Sequence, residues 1–262
     1  MNLLHLVISA KTDKNSSKSS KKDSKKAFSL VELSIVILII GILIAATISA
    51  KTLVNSSRIA SAQAKTRSAP INSIPDATIW LESSLEESFS ASETNDGTEL
   101  TGWKDIKTGS SQNVNDAADS GATNKPTYSN TINSIHAVKF ISADDTYFNI
   151  NATNINNSDY TIFVLEKRQA TGANYFLGDS TTLSTGGFPA TENETLVLGY
   201  SADGTVIHSQ GGTNSYTSSV DGYSSNNEKP RIFTFIQNSS TGKKTYINGY
   251  LAGEDSDTTQ LS

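Results

Sequence analysis

The sequence has no cysteine among its 262 residues and little methionine, tryptophan or proline. Without cysteine the chain forms no disulfide and no thiolate metal site. Its three histidines show no metal-ligand spacing. It also lacks a Gly-x-Ser-x-Gly nucleophile motif and a glycine-rich phosphate loop ahead of a helix. These absences leave carboxylates as the main candidates for chemistry.

Charge is distributed unevenly along the chain. Residues 1–26 hold seven Lys and two Asp, a net charge of +5, and residues 11–26 form a Ser/Lys tract that contains no apolar residue and cannot bury a core. The remainder holds 14 Lys/Arg and 24 Asp/Glu, so its net charge is −10. A basic flank before a membrane span stays in the cytoplasm, which predicts that the acidic remainder is exported. An acidic exported part argues against nucleic-acid binding.

Residues 27–50 form a continuous apolar run with one charged residue, Glu32. As a helix the run is about 36 Å long, enough to cross a hydrocarbon core of about 30 Å. A carboxylate inside a span costs about 2.5–3.5 kcal/mol by insertion scales, so Glu32 is a functional candidate. The alternative is a carboxylate that reaches the nearby interface, and the sequence leaves both open.

The residues from Lys25 to Glu32, KKAFSLVE, followed by the apolar run, resemble the prepilin motif of type IV pilins and type II secretion pseudopilins. The resemblance implies that a membrane peptidase cuts between Ala27 and Phe28 and that the new amine of Phe28 is methylated. It also implies that Glu32 pairs with the Phe28 amine of a neighbouring subunit and drives assembly. The family usually has Gly where Ala27 stands, so we expect slower processing.

The helix is expected to continue beyond the span, because no Gly or Pro occurs between Gly41 and Pro70. This part carries a basic face with Lys51, Arg58, Lys65 and Arg67. Pro70 and Pro75 predict a short extended linker. The predicted domains are a removed leader at 1–27, a helix at 28–69 with its membrane span at 28–50, a linker at 70–76, and a head at 77–262.

The head shows short β-branched and aromatic runs separated by turn residues, which predicts an all-β sandwich. Together with the helix this gives an α+β protein. Two stretches, 88–136 and 209–230, read as long loops. Aromatic residues inside the runs, Trp80, Phe140, Phe163 and Phe233, are predicted to be core. The strands are predicted at 78–82, 137–141, 146–150, 160–167, 174–178, 195–200, 205–208, 231–237 and 244–251.

Across residues 75–252, the order of segments such as Trp80-Leu81, YTIFV at 160–164 and KTYINGY at 244–250 resembles concanavalin A-like, laminin-G-like jelly-roll domains. The last segment reads as a hairpin with Asn-Gly in its turn. Members of that superfamily have one or two further strands after this hairpin. The resemblance therefore implies a jelly roll that is truncated or that has an open sheet edge.

Ligand sites are weakly indicated in the head. The resemblance implies calcium as a candidate cofactor, held by Asp144, Asp145 and Asp203 in loops. Trp103, Tyr216 and Tyr223 lie in polar surroundings where aromatic rings stack on sugars, so glycans are candidate partners. The acidic residues form no alternating set inside an apolar strand, which argues against a glycosidase and for a protein that is not an enzyme.

These patterns predict a minor pilin-like structural or adhesive subunit with an exported, lectin-like head. Its expected partners are prepilin peptidase, other pilin subunits and the inner membrane. We expect it to cross that membrane once, with a cytoplasmic N-terminus. On a pilus or pseudopilus its head then lies in the periplasm or outside the cell. The alternatives are a pseudopilin of a type II secretion-like system and a membrane-tethered carbohydrate-active enzyme.

Overall fold

The computed structural model describes residues 29–107, 115–119, 121, 123–132, 135–151, 153–170, 172–178, 195–201, 203–210, 215–218 and 229–262. The chain divides into two compact units, 1–52 and 53–262. The first unit consists, in its described part, of the apolar first half of one helix. The second unit holds the rest of that helix and the β-rich head.

Helix α1 (Leu30–Arg67) covers most of the predicted helix. Its most apolar stretch has a mean hydropathy of 2.8 and no buried residue. Within the described residues it is the one helix that is long and apolar enough to cross a membrane, by length and composition. The side chains along its first half are exposed and apolar, as a helix that packs in lipid or among other helices requires.

Pro70 terminates helix α1. Ala69 adopts an extended conformation, φ −65° and ψ 139°, because the proline ring disfavours the helical conformation in the residue before it. Pro70–Ser73 then forms a 3₁₀ turn. The prediction of an extended linker at 70–76 is therefore wrong for its first four residues: proline is readily accommodated in the first turn of a helix.

Polar side chains of α1 contact the head within the second unit. The Gln63 side-chain amide donates to the Ser84 carbonyl at 3.1 Å, and the hydroxyls of Thr66 and Ser84 lie 3.1 Å apart. Arg67 donates to both carboxylate oxygens of Glu87, at 3.0 and 3.2 Å. Hydrogen bonds and one ion pair thus tie α1 to the head.

The described residues of the head form antiparallel sheets. Two have four strands, in the orders β10-β9-β8-β7 and β13-β12-β11-β6; the others are β1-β2-β5 and β3-β4. The strands are β1 (Gly102–Trp103), β2 (Ala117–Asp119), β3 (Thr127–Ile132), β4 (Ile135–Lys139), β5 (Phe148–Asn149), β6 (Tyr160–Glu166), β7 (Asn174–Leu177), β8 (Val197–Tyr200), β9 (Val206–Ser209), β10 (Ser215–Ser218), β11 (Arg231–Asn238), β12 (Gly242–Ile247) and β13 (Tyr250–Asp255).

The two four-stranded sheets share the main core and so form a sandwich. Residues of β6 and β11 pack with residues of β8 and β9 on the other sheet. Aromatic rings dominate the contact: Phe176 lies 5.1 Å from Phe233 and 5.4 Å from Tyr200, centroid to centroid. The buried members are Tyr160, Leu196, Leu198, Tyr200, Val206, Phe233, Phe235, Ile247 and Leu261.

A smaller core lies in the stretch predicted to be a long loop. Phe89, Leu100 and Tyr128 are buried together, with the Trp103 ring stacked on Phe89 at 6.1 Å. The loop prediction for 88–136 is therefore wrong, since β1, β2 and β3 lie within it; β10 likewise lies within 209–230. Conversely, the strand predicted at 78–82 is not formed, and this segment makes only an isolated bridge at Leu81.

Two of the predicted core aromatics are exposed. Phe163 is 70% exposed and Phe140 is 50% exposed, whereas Phe233 is fully buried. In β6, Tyr160 faces the core and Phe163 faces outward, because successive side chains of a strand point to opposite faces. The continuous apolar run at 162–165 concealed this alternation in the sequence.

The end of the chain packs against the sandwich. β12 and β13 are joined by the predicted Asn248-Gly249 turn, in which both residues have positive φ. Residues 256–262, here called the C-terminal strap, then fold back under the core. Lys243 contacts Asp257 at 2.6 Å, Gln237 donates to the Thr259 carbonyl at 2.9 Å, and Leu261 is buried.

The strap requires a glycine opposite its start. Gly242 has a φ of +82°, and a Cβ at this position would lie 2.1 Å from the Asp255 carbonyl oxygen and 2.8 Å from Ser256. No side chain fits in that space, so the backbone of the strap passes close to β12 only because residue 242 is glycine.

Candidate assembly site at the start of the helix

Ser29 and Glu32 close the start of α1 by a reciprocal pair of hydrogen bonds. The Ser29 hydroxyl accepts from the Val31 backbone N–H at 3.3 Å, and a Glu32 carboxylate oxygen, Oε2, accepts from the Ser29 backbone N–H at 2.8 Å. The Ser29 carbonyl accepts from the Leu33 N–H at 3.1 Å. This is a capping box, which satisfies backbone N–H groups that a helix start otherwise leaves unpaired.

The capping box holds the Glu32 carboxylate in one place. Oε2 is engaged by Ser29, while Oε1 has no hydrogen-bond partner among the described residues. The side chain is exposed and lies in the first helical turn, where the helix dipole favours a negative charge. The arrangement leaves one carboxylate oxygen exposed, without a hydrogen-bond partner among the described residues.

The structure describes one part of the predicted site. Glu32 lies at the start of α1, as expected, whereas Ala27 and Phe28 lie outside the described residues, so the predicted cleavage and methylation positions have no described geometry. Sequence reasoning missed Ser29. The spacing Ser-x-x-Glu ahead of an apolar run is the signal that identifies a capping box, and it is present at residues 29–32.

The calcium candidates occupy turns. Asp144 ends a 3₁₀ turn, and Asp145 follows it with a φ of 49°. Asp203 accepts hydrogen bonds from the Ser201 hydroxyl and from the N–H and hydroxyl of Thr205, the latter two at 3.0 and 2.8 Å. Those bonds lower the pKa of Asp203 to about 2. In the described part of the chain, no three His, Asp or Glu side chains are grouped in a way that could hold a metal ion.

A polar cluster lies inside the sandwich core. The Tyr160 hydroxyl is hydrogen-bonded to His208 Nε2 at 3.0 Å, and the Thr245 hydroxyl lies 3.5 Å from Nδ1. His208 is fully buried, and burial, reinforced by the nearby charge of Lys243, lowers its pKa to about 3. His208 is therefore neutral at physiological pH and serves as a hydrogen-bonding member of the core.

One acidic side chain of β6 is largely buried. Burial raises the pKa of Glu166, although the Tyr200 hydroxyl donates to it at 2.8 Å and Arg231 lies 3.7 Å away. Arg231 also donates to the Tyr200 hydroxyl at 3.0 Å, and the Arg168 guanidinium lies 4.1 Å from the centre of the Tyr200 ring. This carboxylate is enclosed in a structural network that joins the two large sheets.

Of the three aromatic residues predicted to stack on sugars, the structure describes the side chain of Trp103. Trp103 is half-buried, packs in the small core, and donates its indole N–H to the Glu82 carbonyl at 3.1 Å. The side chain of Tyr216, and Tyr223 as a whole, lie outside the described residues. A different apolar surface is exposed on the outer face of the β6–β13 sheet, formed by Phe163, Leu165, Ile232 and Leu251.

Comparison with known proteins gives a family match in the first part of the chain. Residues 22–48 match the family model of the prokaryotic N-terminal methylation motif. No curated protein matches the chain. Among solved structures, the chain is similar to the crystal structure of the binding domain of Paraclostridial Mosquitocidal Protein 1, at 16% identity and a TM-score of 0.40. The match covers 63% of this chain and 40% of that one.

The methylation motif and the apolar helix together support a type IV pilin-like or pseudopilin-like protein. The motif implies processing by prepilin peptidase and assembly with other pilins. The motif and the apolar helix together suggest that α1 anchors the protein in a membrane.

Proposed function

We propose that this protein is a minor pilin-like subunit of a type IV pilus. The observation that carries the proposal is the position of Glu32: the methylation motif at 22–48 runs directly into α1, and the motif's carboxylate is held at the first turn with one oxygen available. Prepilin peptidase cuts between Ala27 and Phe28, and Phe28 is methylated. The Phe28 amine of one subunit then pairs with Glu32 of its neighbour.

The proposed role of the head is adhesion. Until assembly the protein spans the inner membrane, and its head lies in the periplasm or outside the cell. Support comes from the size of the head and from its antiparallel sandwich, an architecture shared by lectin-like jelly rolls. The runner-up is a pseudopilin of a type II secretion-like system, which the same motif fits. We propose a non-enzymatic role with no resident cofactor, supported by the engagement of Asp203 and Glu166 in structural hydrogen bonds.

Two substitutions at Glu32 test the assembly step. Glu32→Gln retains a side-chain oxygen for the Ser29 cap and loses the charge, whereas Glu32→Ala loses both. We expect both variants to be inserted and processed, as intact mass would show, and both to enter filaments at least about tenfold less than wild type, because the ion pair is lost.

Ser29→Ala is the matched control. It removes the hydroxyl cap, keeps the Ser29 N–H position and leaves the Glu32 charge in place, so this variant is expected to assemble. If Glu32→Gln is incorporated into filaments like wild type, the ion pair does not drive assembly. Binding of the purified full-length protein to a glycan array would support the adhesive head, and turnover of a polysaccharide would contradict the non-enzymatic role.

A further inference from the structure

The second half of α1 is the basic part of an otherwise acidic exported region. Residues 33–75 contain four basic residues and no acidic one. Residues 76–262 contain 10 Lys/Arg and 23 Asp/Glu, a net charge of −13. A basic segment of the chain is therefore followed in the sequence by an acidic one.

Arg58 and Lys65 lie on one side of the helix. They are seven residues apart, which in an α-helix places them within about 20° of the same direction. Both are exposed, and neither forms an ion pair with any described residue. Arg67, in contrast, is paired with Glu87 of the head. Lys51 stands a further seven residues before Arg58 in the sequence.

We propose that Arg58 and Lys65 form a docking surface for the acidic head of a second copy of this chain. The inference rests on the proposed function, which brings the helices of neighbouring subunits side by side, and it adds that two copies of this chain are such neighbours. Charge complementarity selects the occupant: a basic helix face with no described acidic partner meets a head with an excess of 13 acidic residues. Such complementarity sets register and partner choice more than raw affinity.

An anionic membrane surface fits these residues less well. If the span ends at Ala50 and the helix stands along the bilayer normal, Arg58 lies about 12 Å and Lys65 about 22 Å beyond the span. Electrostatic attraction to lipid headgroups falls off within a Debye length of about 8 Å at physiological salt. Because the headgroup layer extends about 5–8 Å beyond the hydrocarbon core, Arg58 lies within reach of it and Lys65 does not, so a surface formed by both residues fits protein better than lipid.

Zero-length cross-linking of the full-length protein in detergent micelles tests the contact directly. Isotope-labelled and unlabelled protein are mixed, treated with a carbodiimide that joins amines to carboxylates, and analysed by mass spectrometry. We expect peptides containing Lys65 of one copy joined to acidic head peptides of the other. Lys139 and Lys229, exposed lysines of the head, serve as internal controls and should give few such products.

Charge reversal supplies the second measurement. The variant Arg58→Glu/Lys65→Glu and the control Lys139→Glu/Lys229→Glu change the net charge equally. We expect self-association in micelles, measured by sedimentation, to weaken at least about tenfold for Arg58→Glu/Lys65→Glu and to persist for Lys139→Glu/Lys229→Glu. Self-association of the wild type should weaken as salt is raised. Equal association of both variants, or loss of binding to anionic vesicles in place of self-association, would overturn the inference.

The two proposals fail separately. If Arg58→Glu/Lys65→Glu enters filaments normally while Glu32→Gln does not, the docking surface is wrong and the pilin-like function stands. If Glu32→Gln also assembles normally, the ion-pair step of the proposed function is wrong.

Discussion

His208 is a titratable residue that the sandwich keeps neutral. Its pKa is about 3 in the folded protein and 6.5 in the unfolded chain. Between these values the unfolded chain binds more protons than the folded one, so stability is fully present above pH 6.5 and decreases as the pH falls. From about pH 7 to pH 5 the expected loss is about 2 kcal/mol.

Replacing His208 by Gln is expected to flatten that dependence, because glutamine hydrogen-bonds without titrating. Chemical denaturation of the full-length protein in detergent measures this pH dependence of stability. Unfolding is followed by tryptophan fluorescence over the same pH range. His136 is less buried and burial lowers its pKa too, so His136→Gln serves as the comparison and should retain most of the slope. A His208→Gln variant with the wild-type slope would show that another group is responsible.

At the assembly site, sequence and structure contribute different residues. Glu32 stands out in the sequence because an isolated carboxylate in an apolar run is costly, and the motif around it is specific. The Ser-x-x-Glu spacing signals a cap from Ser29 in the sequence, and the structure supplies its hydrogen bonds. Ala27 and Phe28 remain predictions from the sequence.

At the scale of elements, β6 shows how one strand places aromatic residues in opposite environments. Phe163 pairs with Thr234 of β11 and faces outward, whereas Phe233, the preceding residue of β11, faces the core and is fully buried. We expect Phe163→Ala to cost less than about 1 kcal/mol of unfolding free energy, since surface changes rarely cost more. Phe233→Ala should cost about 3–5 kcal/mol by leaving a cavity.

Both variants are measured by chemical denaturation of the full-length protein in detergent. Ile232→Ala, on the outer face of the same strand as Phe233, controls for position in β11 and should resemble Phe163→Ala. Equal losses for Phe163→Ala and Phe233→Ala would contradict the outward orientation of Phe163.

Long apolar strands were predictable from the sequence, and short ones were not. Strands β6, β11 and β12 carry runs of β-branched and aromatic residues, which predict strands directly. β1 and β5 are two residues long, and β3 reads TYSNTI, so their pairing depends on tertiary contacts such as the packing of Tyr128 against Phe89. The return of the C-terminal strap likewise depends on Lys243 and Gln237, which are distant from it in sequence.

For the whole molecule, the proposed cleavage doubles the net charge. The chain carries −5 before processing, and residues 28–262 carry 14 Lys/Arg and 24 Asp/Glu, or −10 without the new amine. Isoelectric focusing of the membrane-extracted protein should therefore resolve a more acidic processed form. Ala27→Gly is expected to raise the processed fraction, because it removes the methyl group next to the scissile bond. An unchanged fraction would show that Ala27 does not limit processing.

The contact between α1 and the head also determines how the subunit responds to force. A pull on the second half of α1 reaches the head through hydrogen bonds from Gln63 and Thr66 and through the exposed Arg67–Glu87 pair, worth about 0.2–1 kcal/mol. β11, by contrast, is hydrogen-bonded along its length to both β6 and β12. Under tension we therefore expect the helix to peel from the head before the sheets separate, while the head stays folded.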